Sequence, residues 1–486
     1  MEKYQPVIGL EIHAELKTRS KMFCDCPNMA EEPANTNVCP VCMGHPGTLP
    51  VANRQAINDV IKAGLALNCQ IAENSKFDRK NYFYPDLPKG YQISQYDQPL
   101  CQGGYLMIDS KKIRITRIHL EEDTGKLTHT TDGSLVDFNR AGVPLMELVT
   151  EPDISYGWEA KQFGQELQLI LRYLNISQAD MEKGQMRVEV NISLMQDGKM
   201  GTKVEIKNLN SFRVVEKAID YEIARQTEVL ESGEKVIQET RGWDEGKQKT
   251  FSQRIKEEAH DYRYFPEPDL PPLVNKKEDI DLIEKSLPEL AQAKQQRIVE
   301  QYGISNDLIR FLNGYVAEGH IFLADFFENC VSELDRWMKD EKIDEKERPK
   351  MIKTLGNYMM TEFPKFVQAD GTGLEKLTEE NYAELITLIN KGEISSSSAQ
   401  AVLKEMFETG ADPSHIIEEK DLKQVSDKGQ LEESIDQVIQ ENPQAVEDFK
   451  AGKDNALQFM VGQVMKATRG QANPQIVSQI LKERIK

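Results

Sequence analysis

The chain has 486 residues and a net charge of −20, so it is too long for one compact core and two to four domains are expected. It contains no run of 18 or more apolar residues and no secretory pattern, which predicts a cytoplasmic protein without a membrane span. The acidic balance argues against broad, unspecific binding to nucleic acids or membranes, because a polyanion would be repelled at long range.

The first predicted strand carries a carboxylate and an imidazole on the same face. Residues 7–16 read VIGLEIHAEL, and side chains of a strand alternate between its two faces. Glu11 and His13 are therefore neighbours on the face opposite the apolar one. A half-buried strand with a wet outer face would show the same pattern, so this pair alone leaves a structural and a functional interpretation open.

Four of the seven cysteines follow this strand as two closely spaced pairs: Cys24, Cys26, Cys39 and Cys42. Disulfides are disfavoured in the cytoplasm, whereas four thiolates can close a tetrahedral shell around Zn²⁺. The spacing predicts a structural zinc site, because four sulfur ligands leave no open position for a reacting water. Reduced cysteines in an irregular loop are the alternative.

Three further carboxylates lie in segments that also read as strands. Glu147 stands in a stretch that is apolar on both faces, and a carboxylate buried there needs a cation or hydrogen-bond donors. Glu121 and Glu122 end another strand, where adjacent residues point to opposite faces, so both can serve one site only if the strand twists there. Together with the pair in the first strand they predict an oxygen-rich site for a hard cation such as Mg²⁺.

A predicted hairpin in residues 187–207 mixes cations and carboxylates on its polar face. The Gly125-Lys126 pair lacks the earlier glycine and the following Ser or Thr of a phosphate-binding loop, and no dinucleotide-type glycine pattern occurs. The phosphates of a nucleotide would instead be held by Mg²⁺ and basic side chains, as phosphoryl transfer requires. The basic candidates are Lys80 and Lys89 for catalysis and Arg187, Lys203 and Lys207 for nucleotide binding.

Alternating strands give way to helical periodicity after about residue 290. This predicts an α+β protein with a mainly antiparallel-sheet domain in residues 1–293, an all-α domain in 294–411 and a small all-α tail domain in 412–486. Gly392 and Gly410 are placed to end helices, and Asn473 followed by Pro474 is placed to begin the last one. From residue 450 onward seven basic residues face two acidic ones, so the tail is expected to meet a polyanion.

Longer motifs resemble a known family, the B subunits of the tRNA-dependent aspartyl/glutamyl amidotransferases. The likeness covers nearly the whole chain. The motifs that carry it are VIGLEIH at 7–13, FDRKNYFYP at 77–85, YQISQ at 91–95, HLEED at 119–123, NRAGVPL at 139–145, TKVEIKNLNS at 202–211 and DYRYFPEPD at 261–269.

The resemblance implies a cradle-like catalytic domain followed by helical and tail domains that bind tRNA. It implies that ATP phosphorylates the side-chain carboxylate of Glu-tRNA(Gln) or Asp-tRNA(Asn), and that ammonia then displaces the phosphate. The ammonia would come from glutamine hydrolysed by a partner amidase subunit (A), and a small linker subunit (C) would complete a heterotrimer. On matching positions, the implied Mg²⁺ ligands are Glu11, His13, Glu122 and Glu147, with Glu121 close by, and the implied Zn²⁺ ligands are Cys24, Cys26, Cys39 and Cys42.

Two other function classes stay open at this point. One is a non-catalytic tRNA-binding scaffold, in which zinc and the acidic faces are only structural. The other is a stand-alone metal-dependent phosphotransferase that acts on a small acid. The sequence contains no amidase motif, so glutamine can serve as the amide donor only with a partner.

Overall fold

The computed structural model describes residues 3–29, 32–255, 262–317, 320–368, 371–424, 428–450, 452–468 and 471–485. Contacts divide the chain into two units, Met1–Ala291 and Gln292–Lys486. The first combines a large sheet with helices and the second is mostly helical, so the predicted α+β class is confirmed. The further division of the helical half at residue 412 stays a prediction. No described helix is long and apolar enough to cross a membrane.

The first unit contains seventeen described strands and four described helices. The strands are β1 (Gln5–Glu15), β2 (Gln70–Ile71), β3 (Asn74–Ser75), β4 (Asp78–Asn81), β5 (Tyr91–Ser94), β6 (Cys101–Gln102), β7 (Tyr105–Ile108), β8 (Lys111–Glu122), β9 (Lys126–Thr130), β10 (Gly133–Asp137), β11 (Pro144–Thr150), β12 (Met186–Met195), β13 (Val204–Leu209), β14 (Glu239–Asp244), β15 (Lys249–Ile255), β16 (Phe265–Pro266) and β17 (Leu273–Val274). The helices are α1 (Arg54–Ala66), α2 (Gly157–Tyr173), α3 (Phe212–Glu231) and α4 (Lys277–Lys285).

Ten of these strands form one sheet with β1 near its centre. The order is β15-β14-β13-β12-β1-β11-β8-β6-β2, with β7 added on β8. Among these described strands only β13 and β14 pair in parallel, as expected for a mainly antiparallel sheet. The predicted hairpin is confirmed, because β12 and β13 pair and their apolar positions, such as Val190 and Ile206, are fully buried.

One face of the sheet is apolar and is covered by α1, α2 and α3. Ile8, Leu10 and Ile12 of β1 are at most 1% exposed and share a core with Phe163 of α2 and Val215 of α3. The alternating pattern of β1 therefore buries one face of the strand and places its polar side chains on the other. That second face positions the candidate site.

The second unit is built from eleven described helices and one short strand pair. They are α5 (Ala291–Tyr302), α6 (Asn306–Asn313), β18 (Val316–Ala317), β19 (His320–Ile321), α7 (Phe322–Asp340), α8 (Arg348–Glu362), α9 (Glu379–Lys391), α10 (Ser396–Thr409), α11 (Pro413–Glu419), α12 (Lys428–Glu441), α13 (Pro443–Lys450), α14 (Asp454–Ala467) and α15 (Pro474–Ile485). The predicted helix ends at Gly392 and Gly410 are confirmed, since both residues adopt left-handed conformations directly after α9 and α10. The predicted cap is also confirmed, since Asn473 accepts a hydrogen bond from the Ile476 amide.

Helix α1 contains a buried carboxylate that is expected to make stability depend on pH. Asp59 is 3% exposed, and its burial raises its pKa to about 6 despite a hydrogen bond from Gln55 and the nearby Lys62. Its pKa in the unfolded chain is about 3.9. Between these values the folded protein keeps a proton that the unfolded chain has lost, so stability falls as pH rises through this window and the penalty is complete above pH 6.

Replacing Asp59 by Asn removes this penalty and keeps the acceptor for Gln55. At pH 8 the variant is expected to be more stable by up to about 3 kcal/mol, and the gain should shrink toward pH 4.5. Urea unfolding at both pH values measures it. Asp132→Asn, in an exposed turn, is the control and should show little change. A gain for Asp59→Asn that is equal at both pH values would show that the ionisation of this carboxyl is not the cause.

Candidate active site

One row of polar side chains crosses four strands of the sheet. His119, Glu147, His13 and Arg187 lie directly opposite one another across β8, β11, β1 and β12. Residues that face each other across strands share a face of the sheet and have Cβ atoms about 5 Å apart. The strand register therefore gathers four residues that are widely separated along the chain.

Three carboxylates surround a single nitrogen of His13. Its Nε2 lies 3.4 Å from Glu147 Oε2, 3.8 Å from Glu121 Oε1 and 3.9 Å from Glu11 Oε1. His119 also contacts these carboxylates, with its Nε2 3.3 Å from Glu147 Oε2. We call these five residues the acidic cluster.

The acidic cluster shifts the protonation of its own members. Burial lowers the pKa of His13, but its hydrogen bond with Glu147 and the nearby Glu147 and Glu121 carboxylates outweigh burial and raise that pKa to about 9. Burial favours the neutral form of Glu147, yet His119 and His13 hold its pKa well below the usual range. Burial, followed by the charges of Glu147 and Glu189, raises the pKa of Glu11 to about 6. Such opposed shifts within a cleft are typical of functional sites.

The cluster fits a hard divalent cation. Two groups of three residues share Glu147: one adds Glu11 and His13, the other His119 and Glu121. Within each group the ligand atoms lie within 4.8 Å of one another. Carboxylate oxygens are the donors that Mg²⁺ prefers, and a bound cation would relieve the repulsion among them. His13 Nδ1 is buried and has no hydrogen-bond partner among the described residues, so Nε2 is the nitrogen that faces the carboxylates.

Glu122 does not join the acidic cluster, in contrast to what the resemblance implied. Its carboxylate accepts hydrogen bonds from Lys89 Nζ at 2.5 Å and from the Ile93 amide at 2.9 Å. Glu121 and Glu122 are adjacent in β8 and reach different partners, His13 and Lys89, as expected for neighbouring strand residues that point to opposite sides. Glu122 and Lys89 instead line a separate cavity of about 70 Å³ beside Cys42.

Three of the predicted basic residues, Lys80, Arg187 and Lys207, line the same large cavity as Glu11, His13 and Glu121 of the acidic cluster. The carboxylates of Glu121 and Glu147 raise the pKa of Lys80 above its usual range despite burial. Lys207 Nζ lies 2.7 Å from Glu189, and Arg187 lies 3.0 Å from Asp123.

Lys203 does not line this cavity. It is exposed and precedes β13, whose first residue is Val204. The predicted nucleotide-binding role of Lys203 therefore has no geometric support in the described residues.

Sequence reasoning missed three members of the site: His119, Asp123 and Glu189. His119 could have been found, because it precedes Glu121 by two residues and so shares its strand face. Asp123 could not, because it follows the strand and becomes part of the site only by pairing with Arg187 and Arg140.

The cavity has a volume of about 1030 Å³ and reaches from the acidic cluster to an aromatic wall. Acidic, basic and aromatic side chains together line it. Its lining includes Glu11, His13, Lys80, Tyr82, Phe83, Tyr84, Glu121, Asp123, Arg187, Glu189, Lys207 and Tyr262.

The four cysteines between β1 and α1 come together in space. Their Sγ atoms all lie within 4.8 Å of one another, and none forms a disulfide. A hydrogen bond between Cys24 and Cys42 lowers the pKa of Cys42 to about 4 and raises that of Cys24. A tetrahedral arrangement of sulfurs is the coordination that Zn²⁺ favours, so this cysteine cluster could hold a metal ion.

Comparisons with known proteins identify the family of this chain. Residues 6–281 match the family described as GatB/GatE catalytic domain, and residues 341–485 match the GatB domain. The chain is 50% identical to the B subunit of the aspartyl/glutamyl-tRNA(Asn/Gln) amidotransferase of Thermoanaerobacter pseudethanolicus, with 99% of each chain covered. It is 49% identical to the B subunit of the same enzyme from Persephonella marina, with both chains fully covered. The resemblance seen in the motifs is thus confirmed, and the chain belongs to the GatB/GatE family.

Proposed function

We propose that this chain is a subunit of a glutamine-dependent tRNA amidotransferase. It would use ATP to activate the side-chain carboxylate of Glu-tRNA(Gln) or Asp-tRNA(Asn), in the cytoplasm and together with an amidase subunit and a small linker subunit. The observation that carries the proposal is the acidic cluster beside a large cavity that Lys80, Arg187 and Lys207 also line. Its relatives, which are B subunits of aspartyl/glutamyl-tRNA(Asn/Gln) amidotransferases, support the same reaction.

The chemistry requires a good leaving group on the acyl carbon. A carboxylate oxygen of the aminoacyl side chain attacks the γ-phosphorus of ATP, the bond to the bridging oxygen breaks, and ADP leaves. Ammonia then forms the C–N bond, loses a proton to water, and inorganic phosphate departs with the former carboxylate oxygen. The ammonia would come from glutamine hydrolysed in the partner amidase subunit.

Acidic and basic residues would have different roles in this reaction. The cluster members Glu11, His13, Glu121 and Glu147 would hold Mg²⁺, which neutralises phosphate charge and keeps the reacting groups in line. Lys80, Arg187 and Lys207 would bind phosphate oxygens. Arg187 and Lys207 pair with carboxylates but keep more than a third of their side-chain surface exposed, so they can also contact phosphate oxygens.

The cysteine cluster would hold structural Zn²⁺ in the same proposal. Cys24, Cys26, Cys39 and Cys42 would act as four thiolate ligands, which leaves no open coordination position. The metal would fix a long loop that contains no described helix or extended strand between β1 and α1.

The test of the proposed function is amide formation by the purified assembly. The chain is co-expressed with the amidase and linker subunits, purified as a complex, and supplied with ATP, glutamine and either Glu-tRNA(Gln) or Asp-tRNA(Asn). Gln-tRNA or Asn-tRNA should form only with all components present. A complex that consumes ATP equally with a free small acid, or forms no amide on either tRNA, would contradict the proposal.

The basic tail, residues 450–486, leads to a prediction about tRNA binding. Arg484 pairs with Asp436, whereas Lys466 and Lys482 are exposed and have no carboxylate within ion-pair distance in the part of the chain that the structure describes. Ammonium groups of this kind are available to RNA phosphates. Changing both lysines to Glu should weaken tRNA binding about tenfold or more and lower the slope of log affinity against log salt by about 1 to 2.

Binding is measured by filter retention at several salt concentrations. The control is the same double charge reversal at Lys199 and Lys235, two exposed residues of the first unit. It matches the change in net charge, so equal weakening by both double variants would mean that only overall charge matters and that the tail does not contact tRNA.

A further inference from the structure

The proposed function assigns no role to the aromatic wall of the cavity. This wall consists of Tyr82, Phe83, Tyr84 and Tyr262, all of which line the large cavity. Tyr82 packs edge-on against Tyr262 with ring centroids 5.7 Å apart. The two segments that supply these rings are distant in sequence and meet where β16 pairs with β4.

Phe83 stands out because it is 84% exposed. An apolar ring of this size in water is unfavourable unless a partner covers it. Single exposed apolar residues are common on protein surfaces. The evidence for a role of Phe83 is therefore its position beside the cavity, and its exposure alone would not suffice.

The loop that carries Phe83 is held in place on both sides. The Gly90 amide donates to Leu87 O, the Leu87 amide donates to Tyr84 O, and the Gly125 amide donates to Asp86 O. Gly90 has a φ of +73°, and a Cβ added there would lie 3.4 Å from two ring carbons of Phe83. Phe83 therefore rests along the Gly90 backbone with its remaining surface open.

The charges beside the wall indicate what would cover it. Lys80 Nζ lies 5.2 Å from the ring centroid of Tyr262 and 5.9 Å from that of Tyr82. Arg187 and Lys207 line the same cavity and add positive charge. Aromatic rings next to a cationic channel are the combination that binds unpaired nucleotides, because bases stack on the rings while phosphates meet the cations.

We propose that Phe83 is the stacking platform for the unpaired terminal base of the acyl-bearing RNA. This inference rests on the proposed function, since the acyl group must reach the acidic cluster while its nucleoside stays attached. An exposed ring at the edge of the cavity would hold that nucleoside. Arg187 and Lys207 would be left to bind the phosphates of ATP.

A thermodynamic cycle tests the proposal on the full chain in complex with its partner subunits. The probes are uncharged tRNA(Gln) with and without its 3′-terminal adenosine, and binding is measured at one fixed salt concentration. Phe83→Ala should weaken binding of the intact tRNA about tenfold and leave binding of the shortened tRNA unchanged. Phe83→Trp should restore most of the loss, because the larger ring still stacks.

Tyr156→Ala is the matched control. Tyr156 is a 52% exposed aromatic residue of the same unit that does not line the cavity, so its removal should affect neither tRNA. In steady state, Phe83→Ala should raise the KM for Glu-tRNA(Gln) and leave the KM for ATP unchanged.

Three results would overturn the assignment. Equal weakening of both tRNAs would place the terminal base elsewhere. A raised KM for ATP with an unchanged KM for Glu-tRNA would make the ring a platform for the adenine of ATP. Loss of the amidase subunit from purified Phe83→Ala complexes would make it a protein contact. A failed amidation assay with wild-type complex would count against the proposed function. The tRNA-binding measurements would still test the role of Phe83, because they do not depend on amidation.

Discussion

Replacing Glu147 by Gln should lower the rate of carboxylate phosphorylation by about 10² to 10³-fold while tRNA binding is retained. Glu147 lies between two imidazoles, 3.4 Å from His13 Nε2 and 3.3 Å from His119 Nε2. Gln keeps the size of the side chain but removes the charge that attracts a divalent cation. The measurement is release of ADP that depends on Glu-tRNA(Gln) in the absence of glutamine, with filter binding of tRNA alongside.

The control for Glu147→Gln is Glu159→Gln. Glu159 lies in the first turn of α2, is also buried, at 3% exposure, and pairs with Lys111. It does not line the cavity. This control variant shows how much the loss of a buried negative charge lowers stability without any change in the acidic cluster. Unchanged phosphorylation in Glu147→Gln, or an equal loss in both variants at equal thermal stability, would contradict a direct role for the acidic cluster and would favour a non-catalytic scaffold.

Replacing Cys42 by Ser should release the metal from the cysteine cluster and destabilise the loop around it. The Cys42 Sγ atom accepts a hydrogen bond from the Cys39 amide at 3.1 Å and lies 4.0 Å from the fully buried Lys21 Nζ. A serine hydroxyl stays protonated at neutral pH and is a poor ligand for Zn²⁺, whose binding energy in structural sites contributes directly to folding. Zinc content should fall from about one equivalent to well under half.

Elemental analysis and limited proteolysis of the purified protein measure this effect. Cys69→Ser is the control, because Cys69 is buried and free but lies outside the cluster, and it should keep its zinc. Chelation of wild-type protein should lower the melting temperature, and added Zn²⁺ should restore it. Wild-type protein with less than about half an equivalent of zinc would show that the loop is metal-free.

Much of this molecule follows from local pattern. The alternation in β1 predicted which of its residues would be buried, and Ile8 and Ile12 are indeed fully buried. The helix ends at Gly392 and Gly410 followed from the freedom of glycine to adopt positive φ. The cysteine pairs followed from spacing alone, since two short loops can present four sulfurs to one point.

Long-range placement could not be predicted in this way. Glu121 and Glu122 are adjacent and chemically alike, yet Glu121 lies 3.8 Å from His13 while Glu122 pairs with Lys89. Lys203 and Lys207 belong to the same predicted strand, yet Lys203 does not line the cavity and Lys207 does. In both cases local pattern identified the chemical type of the residue and left the direction of its side chain undetermined.

The sequence by itself determined the fold class, the polar face of the first strand, the cysteine cluster and the family. Only the tertiary structure decided which carboxylates meet, because that depends on strand register and on which face of the sheet the helices cover. Register is set by turns and by burial of apolar side chains from distant segments, and a shift of one residue would exchange Glu121 for Glu122. The row from His119 to Arg187 exists because four strands, separated by up to 174 positions between His13 and Arg187, pair in that one register.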